Sequence, residues 1–284
     1  MKLETKMFYI DWTDDVVTQI KHELAPIDSL KEFPLWKTKG FEEMAENGAA
    51  FISIRGTNPE LLTGINPDRI ALTTKSEGMA FKKLQSYVMA NQISWLVIAV
   101  PSFGWARKVF PGYNDKQKQI EALWNAIFRA TRVDLDNPIG AWQIHNVNLG
   151  KKLEYLNAKK YRYLHYAAPG TKLSIELPPN HIWRGGSSIN NKGISFNANI
   201  STEEIFTVSL KEGVNGIVQS TRPLSYGGNL MEDFTLTFRN GRIVHSTAKT
   251  GYEVLKKLIK TDEGSHYLGE VALVPHFLLS DKQI

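Results

Sequence analysis

TDEGSHYLGEVALVP, residues 261–275, sets one carboxylate, Glu270, between a glycine and a run of apolar residues. After the acidic turn at Asp262, Glu263 and Gly264, the segment Val271-Ala272-Leu273-Val274 is short, apolar and stopped by Pro275, the pattern of a core strand. Glu270 stands at the mouth of that strand and is expected to be buried. A carboxylate at the edge of a core is ion-paired, hydrogen-bonded or bound to a cation, because burying it bare is costly. The stretch alone leaves all three open.

Working upstream, Ser201-Thr202-Glu203-Glu204-Ile205-Phe206-Thr207 offers a second acidic site, followed by residues that favour extended structure. Period-two alternation puts Glu204, Phe206 and Val208 on one face of a strand and Glu203, Ile205 and Thr207 on the other. One of the two acids should face inward, and spacing does not choose which. From residue 163 onward the texture is alternating strands with Gly and Asn turns, and Arg239-Asn240-Gly241-Arg242 is a strong hairpin signal. Residues 251–260 read as one helix leading into the Glu270 segment.

The first half of the chain has a different pattern. Residues 7–12 read as a strand and 16–24 as a helix with Thr13 and its flanking aspartates at the cap. Residues 35–47 read as a helix ended by Gly48, and AAFISIR, residues 49–55, as a buried strand. The pattern repeats with a largely helical stretch at 67–88 and a strand at 94–100. Residues 115–130 and 138–156 are helical by periodicity, with Leu123, Ile127, Trp142, Leu149 and Leu153 on their packing faces. Strands alternating with helices imply a mostly parallel α/β sheet. The expected architecture is an α/β domain over residues 1–160 followed by a mainly antiparallel β (α+β) domain over 161–284.

Composition narrows the chemistry. With 284 residues, 42% hydrophobic and 22% charged, the chain is long enough for two domains and is not a disordered composition. The 34 Lys and Arg against 29 Asp and Glu give a net charge of +5, but the basic residues come in scattered pairs such as Lys82-Lys83 and Lys151-Lys152. That is the texture of solvated helix faces rather than a nucleic-acid stripe. The absence of cysteine removes thiolate ligands, disulfides and a Cys nucleophile. None of the seven histidines forms an HExxH pair. The longest apolar run, residues 96–101, is too short to cross a bilayer, so no membrane partner and a cytoplasmic location are expected. Gly185-Gly186-Ser187-Ser188 and Tyr226-Gly227-Gly228-Asn229 lack the lysine of a phosphate loop and read as turns. His181 reads as a structural residue opening a strand, and His276 is not assigned as a ligand.

STEEIFT at 201–207, VNGIVQSTRPLSYGGNLME at 214–232 and TDEGSHYLGEVALVP at 261–275, in that order, resemble the aminopeptidase T and aminopeptidase S family of dinuclear-metal aminopeptidases. The resemblance extends through SWLVIAVPSFGWARKVFPG at 94–112, LWNAIFRATRVD at 123–134 and LHYAAPGT at 164–171, covering nearly the whole chain. It implies a metal-dependent hydrolase that removes N-terminal residues from peptides and works as a homodimer. The second Glu of TEE and the Glu of LGE are metal ligands in that family, and they map to Glu204 and Glu270. The implied cofactors are two divalent ions per site; carboxylate-rich ligation suits zinc, cobalt or manganese without selecting one.

The resemblance also departs from the family. The segments of type FDENASxHIAxG and HxDxMIG, which bring the remaining carboxylates and both metal-binding histidines, do not occur here. Family members also carry a piece before the position of residues 8–15. The chain therefore resembles an internal portion of such an enzyme, truncated at both ends, with its second domain incomplete. Little turnover is expected of it alone. The alternatives are completion of the site by another chain, or an inactive fragment serving as a subunit or pairing partner of an intact homologue.

Overall fold

The structure is a computed structural model and describes residues 7–274. Its first part contains α1 (Asp15–Leu24), α2 (Ile27–Leu30), α3 (Leu35–Glu46), β1 (Phe51–Arg55), α4 (Pro67–Ala80) and α5 (Lys82–Met89). Then come β2 (Trp95–Ala99), α6 (Phe103–Val109), α7 (Lys116–Thr131) and α8 (Pro138–Lys159). A run of strands follows: β3 (Tyr163–Ala168), β4 (Thr171–Glu176), β5 (Arg184–Gly185), β6 (Ser187–Ile189), β7 (Ser195–Asn197), β8 (Ile205–Val208) and β9 (Val214–Gln219). The described region closes with β10 (Leu224–Tyr226), β11 (Asn229–Met231), β12 (Thr235–Arg239), β13 (Arg242–Thr247), α9 (Tyr252–Ile259) and β14 (Glu270–Leu273).

Helices begin where side chains can accept from otherwise unpaired backbone amides. Asp14 accepts from Val16 and Val17, Asn66 from Asp68, and Asp115 from Lys118. β1 and β2 pair in parallel, Phe51 opposite Trp95 through Arg55 opposite Ala99, with α4 and α5 in the crossover. The parallel sheet read from the alternation is therefore two strands among the described residues. β13, β12, β9, β4 and β3 form a five-stranded antiparallel sheet in that order, and β14, β8 and β5 a three-stranded one. The β12–β13 turn falls at Asn240 and Gly241, with φ of 47° and 78°, the left-handed pair that a two-residue hairpin requires.

Helix α8 ties these sheets together. Leu149 packs in one cluster with Leu173, Ile175 and Leu177, with Trp183, Val214 and Phe238, and with Ile205 of β8 and Val271 of β14. Burying an aliphatic side chain of this size contributes about 1.5–3 kcal/mol. Ile205 and Val271 thus fix the two strands on which the acids of interest are carried.

Four expectations need correction. Residues 7–12 form no strand; Phe8 and Ile10 are each 82% exposed, and apolar β-formers settle into a strand only where a neighbour pairs and packs with them. β1 is not buried, because helices cover one of its faces, where Phe41 meets Phe51, while Ile52 and Ile54 on the other stay exposed. His181 lies in a loop before β5, its Nδ1–H donating to the Pro178 carbonyl at 2.8 Å. Glu270 is exposed rather than buried, for reasons of strand face given below. Pro275 and His276 lie outside the described residues. No helix among the described residues is long and apolar enough to cross a membrane.

Candidate metal centre

The approach to β8 begins on the outer edge of β2. Val97 N–H donates to the Ala198 carbonyl at 2.8 Å, and Ile200 N–H to the Val97 carbonyl at 3.1 Å. From there the chain passes through Thr202, Glu203 and Glu204 into β8. β8 runs antiparallel to β14, with Ile205 opposite Leu273, Thr207 opposite Val271 and Val208 opposite Glu270. Directly opposed residues of an antiparallel pair share a face, and successive residues alternate. Ile205, Thr207, Val271 and Leu273 make one face, and the first three are buried in the core. Glu270, Ala272, Phe206 and Val208 make the other, and alternation carried one residue further adds Glu204. The two acids therefore share the open face of the ribbon, separated by the Phe206–Ala272 rung.

On its other side β8 pairs with β5, Gly185 opposite Ile205. Gly185 has φ 153°, and a Cβ there would stand 2.6 Å from the Glu204 carbonyl oxygen and 3.1 Å from the Ile205 Cα. The glycine is what lets β5 approach the backbone that carries Glu204.

Glu203 is the inward-facing acid. One Arg132 terminal nitrogen lies 2.5 Å from its Oε1, and His145 Nε2 lies 3.6 Å from its Oε2. The same Arg132 nitrogen is 3.3 Å from His145 Nδ1, and His145 Nε2 is 2.8 Å from the Thr202 carbonyl. Arg132 caps α7 in the left-handed conformation, φ 60°, and its guanidinium sits 5.0 Å over the Trp142 ring of α8. Trp142 in turn donates its indole N–H to the Thr131 carbonyl at 2.8 Å. Nothing local in the sequence announces this arrangement, since Arg132 and Glu203 are 71 residues apart.

Glu270 is held above the usual carboxylate range, first by partial desolvation of its carboxyl and second by the negative charge of Glu204. Among the described residues neither Glu204 nor Glu270 has a Lys, Arg or His ion-pair partner. Arg184 of β5, opposite Phe206, brings a cation to this face without an ion pair to either acid, and two unpaired carboxylates suit a divalent ion in kind. They do not complete a site: among the described residues no group of three or more His, Cys, Asp or Glu is placed to hold a metal. An open depression of about 400 Å³ lies beside the Glu204 end of the ribbon, bounded by Lys151, Lys152, Tyr155 and Leu156 of α8 and by Ile205, Leu273 and Val274.

The fold thus joins a parallel strand pair to antiparallel sheets, one of which carries Glu270, with Glu204 at its approach. The family model described as thermophilic metalloprotease (M29) matches residues 1–282, and the chain belongs to that family. It is 52% identical over 267 residues to aminopeptidase AmpS of Bacillus subtilis (strain 168), a match covering 94% of this chain and 65% of the relative. It is 46% identical over 271 residues to aminopeptidase 2 of Geobacillus stearothermophilus, covering 95% of this chain and 65% of that protein. The structure of wild-type AmpT from Thermus thermophilus superposes with a TM-score of 0.85 at 37% identity, over 95% of this chain and 66% of that one. The chain spans less than two thirds of the length of the Bacillus and Geobacillus relatives.

Proposed function

We propose that this chain carries the carboxylate part of a metal-dependent aminopeptidase site, with Glu204 and Glu270 as ligands to one or two divalent ions and a peptide's free N-terminal end as the substrate. The observation that carries the reading is the shared open face: Glu204 and Glu270 lie on it with no ion-pair partner among the described residues, and the charge of Glu204 adds to the cost of ionising Glu270. A bound zinc, cobalt or manganese ion would supply a Lewis acid and a water of lowered pKa. The chain's own part is to fix the two carboxylates through the core contacts of Ile205 and Val271. In this reading residues 161–284 form the metal-site domain and residues 1–160 the α/β domain beside it, the remaining ligands come from beyond residues 7–274, and the working form is a cytoplasmic homodimer.

The small donor set among the described residues favours a second reading, in which the chain is inactive alone and serves as a subunit completed by another chain or paired with an intact homologue. One assay separates the two. Release of a leucyl or arginyl chromogenic amide is followed with and without cobalt or zinc, beside Glu270→Gln. Metal-dependent turnover lost in the variant is the result expected of the enzyme. A folded chain that binds metal through Glu204 and Glu270 without turnover is the result expected of the subunit. Turnover indifferent to metal and to Glu270→Gln would overturn both.

A further inference from the structure

Adjacent carboxylates at 203 and 204 pose a problem that the fold has to solve, because each disfavours the charge of the other. Here the first is tied to Arg132, with His145 beside it. Its two oxygens face Arg132 at 2.5 Å and His145 at 3.6 Å, and His145 reaches past it to the Thr202 carbonyl at 2.8 Å. The side chains of Arg132 and His145 are each only 12% exposed, so their geometry is set by packing rather than by solvent. They come from two different elements, the C-terminal cap of α7 and the first half of α8, and Trp142 braces the guanidinium from below. Glu203 and Glu204 lie just ahead of β8, and alternation extended back from Ile205 directs them to opposite sides. Arg132 also offsets the charge of Glu203, so that the acids presented on the open face are Glu204 and Glu270, with Arg184 of β5 on the rung between them.

We infer that Arg132, Glu203 and His145 are positioning residues for the Glu204 carboxylate, setting its place on the cation-binding face without touching the cation themselves; this rests on the reading of Glu204 as a ligand. Groups hydrogen-bonded to a metal ligand are worth about 10–100-fold in metal affinity when removed, and Arg132 acts on Glu204 only through its neighbour, so the lower end is expected.

The test is Mn²⁺ binding, followed by electron paramagnetic resonance titration into the millimolar range, on the whole chain and five variants. Glu204→Gln is the reference for the ligand itself. Arg132→Gly removes the guanidinium at a backbone position whose left-handed φ glycine adopts freely, and Glu203→Gln removes the charge with little change of shape. Arg132→Lys keeps a cation. Asn157→Ala breaks the contacts of Asn157 with the Trp183 backbone elsewhere on α8 and controls for general loosening. The expected result is Mn²⁺ affinity reduced roughly tenfold in Arg132→Gly and Glu203→Gln, partly restored in Arg132→Lys and unchanged in Asn157→Ala. If Glu204→Gln weakens Mn²⁺ binding while Arg132→Gly and Glu203→Gln, shown folded by their melts, bind as the parent does, the positioning role is overturned and the ligand reading stands. If the parent binds no Mn²⁺, or Glu204→Gln binds it as well as the parent, the ligand reading falls and the positioning role falls with it.

Discussion

Glu270 separates two uses of a charge, its cost to the fold and its value to a bound ion. Its folded-state pKa lies above the ordinary carboxylate value because of desolvation and the neighbouring charge of Glu204. A carboxyl raised in this way contributes stability while it is protonated, below its unfolded pKa, and loses that contribution as pH rises through the folded value. At neutral pH without metal the ionised Glu270 therefore works against the fold. Thermal melts in chelator should show Glu270→Gln at least as stable as the parent at neutral pH, with the difference closing as the pH falls below the carboxylate range. Adding cobalt or zinc should raise the parent's melting temperature and leave the variant's in place. A variant less stable than the parent in chelator at neutral pH would contradict the assignment. At this scale the sequence brought Glu204 and Glu270 forward through the family motifs, and alternation limited Glu203 and Glu204 to opposite faces. It did not say which acid turned inward, because that choice is made by Arg132 and His145, residues distant in the chain and ordinary in their local setting.

At the scale of elements, the spacing of β5 from β8 rests on one missing side chain. A methyl group at Gly185 would press on the Glu204 carbonyl oxygen and on the Ile205 Cα, both backbone atoms with no rotamer to escape into, and φ 153° is itself unfavourable for an L-residue. Gly185→Ala should destabilise the chain by about 1–3 kcal/mol in denaturant unfolding and should weaken divalent-ion binding as well, since β8 must shift to make room. Gly→Ala at Gly78, where a Cβ would meet nothing within 4 Å, provides the contrast, with stability unchanged or slightly raised. Equal effects at the two glycines would mean that the close approach of β5 to β8 has no consequence. The helices were legible in sequence because periodicity and caps are local, as at Asp115 ahead of Lys116–Thr131, and the Asn240-Gly241 hairpin was legible because its turn chemistry is. The exposure of Glu270 was not. An acid beside Val271-Ala272-Leu273 reads as entering the core, yet Val271 takes the inward position and so turns Glu270 out.

For the whole molecule, an even composition conceals an uneven surface. The apolar content of AAFISIR predicts a buried strand, but burial belongs to the neighbours a strand acquires, and β1 has β2 on one edge and helices on one face only. Ile52 and Ile54 are 65% and 62% exposed on its open face, and Phe8, Ile10 and Trp12 are exposed in the segment of residues 7–13 that lines a separate depression together with β1. An edge strand with unpaired backbone groups and a row of apolar side chains is a template for association. The purified chain should therefore self-associate in a concentration-dependent way through this face. Sedimentation velocity should show the mean mass rising with protein concentration and rising further in sulfate salts, which strengthen apolar burial. Ile52→Lys with Ile54→Lys should lower the association sharply, because charge on an edge strand opposes pairing. The double variant should keep the parent's melting behaviour to within about 0.5 kcal/mol, because both side chains already face solvent in the folded chain. A parent that sediments as a single monomeric species at every concentration would show that the exposed face of β1 is not adhesive, and a double variant that associates like the parent would move the contact to another surface.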